Sequence, residues 1–256
     1  MLIDTQPSPF DLRFSLLGFP VRVHPLFWIV MALLGDWTLR PPLGLPYMLL
    51  WVACGFVSIL VHELGHAIMF RRFGARWVEI MLIAFGGLAA ADRQPSSAWR
   101  RMVIALAGPV FGFALLFLVV ASNFVYPWAM LSNPLQFTFF FLFSMNLFWN
   151  LINLLPIWPL DGGRVCREIC VMLNLRNPYK TAFAISFLTA GACASVGILS
   201  LLKLLPPELA ENLPYIPGTF MTIWLVMFAV ESYQLWQATA SVTRWDADDD
   251  TPPWKR

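Results

Sequence analysis

From Tyr47 to Phe70 the chain runs through 24 residues whose only acidic or imidazole side chains are His62, Glu63 and His66. As a helix, such a run reaches about 36 Å, enough to cross a hydrocarbon layer of about 30 Å. Ionisable groups in such a helix are costly, and where they persist they mark chemistry. Composition points the same way: 59% of the residues are hydrophobic and 12% charged, against about 45–50% and about 25% in a soluble domain. The sequence therefore specifies a polytopic membrane protein in contact with a lipid bilayer. A net charge of +2, with no basic stretch interleaved with aromatic residues, gives no expectation of a nucleic-acid partner.

Six segments read as transmembrane helices: 25–39, 47–70, 102–126, 135–157, 181–202 and 216–236. They predict an all-α fold forming a single integral-membrane domain over residues 1–256, with a polar, solvated tail at about 241–256. The opening "MLIDTQPSPFDLRF" lacks a basic region followed by an apolar core, so no removable signal peptide is expected. Of 17 basic residues, only Arg40 and Lys203 fall on the outer side when the N-terminus is placed in the cytoplasm. The positive-inside rule thus sets both termini in the cytoplasm, with the plasma membrane as the expected location. It also puts the ends of the second and fourth spans on one side. Between them "VEIMLIAFGGLAA", Val78 to Ala90, is too short to span. It reads as a membrane-associated re-entrant hairpin whose edge binds an unwound segment as an added strand, or as an interfacial helix.

His62 and His66 stand one helical turn apart, so both imidazoles point the same way, with Glu63 beside them. In the H-E-x-x-H arrangement the two histidines bind zinc and the glutamate acts as general base. A catalytic zinc takes three protein ligands and keeps one position open. The stretch "NLINLLPIWPLDGGRV", Asn150 to Val165, supplies Asp161 at the cytoplasmic end of the fourth span. Pro156 and Pro159 break the helix there, and Gly162 and Gly163 permit sharp turns that fold Asp161 back toward the metal.

His62-Glu63-x-x-His66 followed by Asn153, Pro156, Leu160, Asp161 and Gly162 resembles the site-2 protease (M50) family of intramembrane zinc metalloproteases. Further similarity lies in "VRVHPLF", "AFGGLAA" and "IALAGPVFG", so the resemblance runs from about Val21 to Arg167. It implies one Zn²⁺ per chain held by His62, His66 and Asp161. Glu63 would activate water and pass its proton to the leaving amine, and Asn153 would hold the substrate backbone or the developing oxyanion. The implied substrate is a transmembrane segment of another protein, with the oligomeric state left open. Neither an inserted PDZ-like domain nor a CBS pair is evident, as in a minimal catalytic core. A membrane metal carrier and an inactive relative that binds membrane proteins are the competing readings.

Other features carry less. His24 reads as interfacial rather than as a ligand. Asn146, Asn150 and Asn153 form one polar stripe that serves as interhelical glue or as part of the site. Gly108 and Gly112 make a G-x-x-x-G packing pattern. Glu231, in the sixth span, pairs locally or lines the entrance. Cys166 and Cys170 share a helix face, as small apolar residues do.

Overall fold

A computed structural model of the chain describes residues 8–39, 43–84, 86–206 and 218–248. It divides into two compact units, Met1–Asn153 and Leu154–Arg256.

The first unit begins with strands β1 (Leu12–Leu16) and β2 (Phe19–Val23). They are joined through Leu17 and Gly18, both at positive φ (50° and 77°), the backbone of a two-residue hairpin turn. Helix α1 (Pro25–Leu34) follows, its first turn capped by His24, whose Nδ1 accepts from the Leu26 N–H at 3.2 Å. This gives His24 a structural task and accounts for it without a metal. Next come α2 (Leu45–Arg72), β3 (Val78–Ile83), β4 (Gly86–Ala91), α3 (Ala98–Val125) and α4 (Asn133–Asn153).

The strands form one sheet in the order β1-β2-β3-β4, antiparallel except for β2 beside β3. Phe19, Val21 and Val23 alternate onto the face that joins Ile80 and Leu82 to Phe27, Ile59, Ala67 and Ile104 in a single apolar core. On the other face Arg22 is buried between Asp11 and Glu79, at 3.4 Å from each carboxylate. Burial tends to raise the Asp11 pKa, but the Ser8 N–H and the Arg22 guanidinium outweigh it and hold the carboxyl below its usual range.

In the second unit the loop 154–160 leads into α5 (Asp161–Met172), α6 (Pro178–Leu201) and α7 (Thr219–Asp248). Its core joins Ile157 of the loop to Ala190 and Ala194 of α6 and to Leu225 and Ala229 of α7.

The expected all-α fold is corrected: the chain is mostly helical but carries a four-stranded sheet. Its strands are 5 or 6 residues long, too short to stand out beside apolar runs of span length. The segment at 78–90 is a β-hairpin, not an interfacial helix. Among the described residues four helices, α2, α3, α4 and α6, are long and apolar enough to cross a membrane. The first expected span is shorter than thought: α1 has 10 residues, about 15 Å of helix, followed by a 3-10 turn at Asp36–Leu39. The expected fourth span, 135–157, ends at Asn153 because Pro156 cannot continue a helix and restricts the residue before it. In the expected sixth span, residues 216 and 217 lie outside the described residues. The helix there runs to Asp248, so the expected polar tail begins as helix; residues 249–256 also lie outside.

Candidate metal centre

In α2, His62, Glu63 and His66 are all at most 5% exposed. Each imidazole is held by its Nδ1. That of His66 lies 2.7 Å from the Ile104 carbonyl. A carbonyl only accepts, so this nitrogen carries the proton and Nε2 keeps its lone pair. The Nδ1 of His62 lies 2.9 Å from Asn150 Oδ1. The amide of Asn150 cannot be turned round, because its Nδ2 donates to the Asn146 carbonyl. His62 therefore has the same tautomer as His66. The two Nε2 atoms approach to 3.2 Å.

Two imidazole lone pairs that close repel unless a cation, either a metal ion or a proton shared as an N–H···N bond, sits between them. Tetrahedral zinc with Zn–N bonds of about 2.0–2.1 Å separates two histidine nitrogens by about 3.3–3.4 Å. The observed pair fits that ion. Both Nδ1 atoms are already bonded to oxygen acceptors, the second layer that orients metal-binding histidines.

Small residues let the neighbouring elements approach. A methyl at Gly65 would overlap the Ala107 carbonyl, and one at Gly108 would overlap both Nε2 atoms. A methyl at Gly112 would overlap the Asn150 amide. The G-x-x-x-G pattern of α3 is thus packing, as expected, but against the site itself. On the sheet side, a methyl at Gly87 of β4 would overlap the Glu63 carboxyl. β4 is an edge strand of the sheet.

The asparagine stripe divides by task. Asn146 donates to Ser58 Oγ at 2.9 Å and ties α4 to α2, Asn150 orients His62, and Asn153 donates to the Trp149 carbonyl at 3.0 Å. The sequence marked the stripe but not which member serves a histidine. The Ile104 carbonyl is backbone and leaves no signature in sequence.

In the second unit Asp161 opens α5 and is 5% exposed, with Arg164 Nη1 at 3.9 Å from its carboxylate. Cys166 and Cys170 line an apolar cavity of about 440 Å³. Burial, then the neighbouring Cys170 thiol, pushes Cys166 up to about 11. It stays a thiol at neutral pH.

The model of Peptidase family M50 matches residues 51–134 and 125–198. The chain belongs to this family. It is 31% identical to a zinc metalloprotease of Methanocaldococcus jannaschii over 61% of this chain and 44% of that protein. It is 30% identical to stage IV sporulation protein FB of Bacillus subtilis over 66% of this chain and 53% of that one. The chain spans about half the length of the curated relatives it matches. Among solved structures, the site-2 protease of Methanocaldococcus jannaschii shares its fold with a TM-score of 0.53 and 21% identity, covering 89% of this chain and 95% of that one.

Proposed function

We propose that this M50 member is an intramembrane zinc endopeptidase that cleaves transmembrane segments of other membrane proteins. The observation that carries the reading is the pair of histidines whose Nε2 lone pairs converge at 3.2 Å while both Nδ1 atoms are hydrogen-bonded. Asp161 is proposed as the third ligand. It follows the end of α4 by eight residues, and its buried carboxylate would complete the three protein ligands that a catalytic zinc takes. One zinc ion per chain would polarise the peptide carbonyl and acidify the attacking water.

The remaining chemistry belongs to the chain. Glu63 takes the proton from water and returns it to the leaving amine. Its neighbour Gly87 lies on an edge strand, so a substrate unwound and added to β4 would pass the carboxylate with its backbone extended. Asn153 uses one amide proton on Trp149 and has a second for the substrate carbonyl or the oxyanion.

The proposed topology keeps six crossings with both ends in the cytoplasm, in the plasma membrane. The shared sheet supports it. β2 precedes α1 and β3 follows α2, and the two pair directly. A single crossing by α2 would put them on opposite sides, so the proposed topology has the chain between β2 and α2 enter the membrane and reach its far side. Arg40, Lys255 and Arg256, part of the charge argument, lie outside the described residues.

The test is zinc content and cleavage of a transmembrane substrate in detergent, for the wild type, Glu63→Gln and Asp161→Ala. One zinc per chain, retained in Glu63→Gln without cleavage and lost in Asp161→Ala, is the expected result. Undiminished cleavage by Glu63→Gln would overturn the reading.

A further inference from the structure

A buried pair of hydroxyls in α6 and α7 reaches the first turn of α5 through backbone contacts alone. Ser186 of α6 and Ser232 of α7 are 1% and 0% exposed, with their Oγ atoms 2.7 Å apart. Ser186 Oγ also accepts the backbone N–H of Trp158 at 2.6 Å. Trp158 is further held by its ring, edge-on to Phe183 of α6 at 5.7 Å, and by its neighbour Ile157, which is fully buried against both helices.

That loop in turn sets the start of α5. A methyl at Gly163 would stand 2.5 Å from the Ile157 carbonyl and 2.6 Å from the Trp158 nitrogen. A methyl at Gly162 would overlap the carbonyls of Leu154 and Leu155. The first turn of α5 therefore rests backbone to backbone on residues 154–158, with no flexible side chain between to absorb a shift. Asp161 is the residue immediately before those two glycines.

We infer that Ser186 and Ser232 are positioning residues for Asp161, holding the Trp158 peptide so that α5 starts where its carboxylate can serve the metal. The inference rests on the proposed role of Asp161 as a ligand. Neither serine touches metal or substrate. Removing the Ser186 hydroxyl takes the acceptor from a partly buried N–H, and such a group moves toward another partner when it can. Because the contact chain is rigid, that movement is transmitted to Asp161. Outer-layer groups of this kind typically change metal affinity by about 10–100-fold.

The experiment is metal binding by the full-length protein in detergent. Zinc affinity is read by chelator competition, and ligand geometry by the visible spectrum of the Co²⁺-substituted protein. Ser186→Ala is expected to weaken zinc about tenfold and alter the Co²⁺ spectrum, while Ser186→Thr, which keeps the hydroxyl, restores both. Should Ser186→Ala fail to fold, Ser232→Ala carries the test, with a smaller loss in the same direction. Wild-type affinity and spectrum in the folded alanine variants would overturn the inference. Asp161→Ala separates this failure from that of the underlying reading. If it too binds zinc normally, Asp161 is no ligand; if it alone loses zinc, the ligand stands and the serines do not position it.

Discussion

Nδ1 of His62 donates to Oδ1 of Asn150 across 2.9 Å, and the amide nitrogen of Asn150 is committed in turn to the Asn146 carbonyl. The tautomer of His62 is thus chosen by a residue 88 positions away in the chain. Replacing Asn150 with alanine should lower zinc affinity about 10–100-fold. Chelator competition measures it, and an unchanged affinity would show that the imidazole needs no such guide.

Gly87 lies against Glu63 with no room for a methyl group. Gly87→Ala should push the carboxylate off its position while leaving both histidines in place. Cleavage is then expected to fall by about 10²–10⁴-fold, the usual contribution of a general base, with zinc content unchanged. Parallel metal analysis and turnover on one preparation decide the matter.

Gly108→Ala should act on the metal instead, since its methyl would meet both Nε2 atoms. Loss of zinc is expected, with helical content preserved by circular dichroism. Gly191→Ala is the control: a methyl there meets nothing within 4 Å, and zinc binding should be that of the wild type.

Asp11 has a depressed pKa in the folded chain. Its contribution to stability is therefore present above its unfolded value and lost as the pH falls through the folded one. The thermal midpoint should drop on acidification below about pH 4. Arg22→Met removes the guanidinium 3.4 Å from Asp11 and should flatten that dependence while lowering the midpoint at neutral pH. Midpoints of both proteins between pH 3 and 7 test it.

The helices that carry the histidines and the asparagine stripe were legible because span length and helical spacing are properties of one local stretch. The halt of α4 at Asn153 was half legible. Two prolines announced a break, but a span boundary drawn from hydropathy passes over apolar residues such as Leu154, Leu155 and Ile157. The sheet was harder to see, since β2 and β3 find each other across α1 and α2, and no local pattern encodes a parallel partner. Within the candidate site, HELGH was legible as a motif. The groups that aim it, a backbone carbonyl at Ile104 and bare backbone at Gly87 and Gly108, carry no functional side chain and emerge only from packing.

The parallel pairing of β2 with β3 also makes β1 and β2, ahead of the first helix, a distant wall of the candidate metal centre. β4 reaches the Glu63 carboxyl, β3 supports β4, and β2 supports β3. On the proposed strand addition to β4, a strand that contributes no catalytic atom would fix the height at which a visiting peptide lies. On that reading, shortening β1 or β2 would be an intervention in substrate handling rather than a neutral convenience of expression.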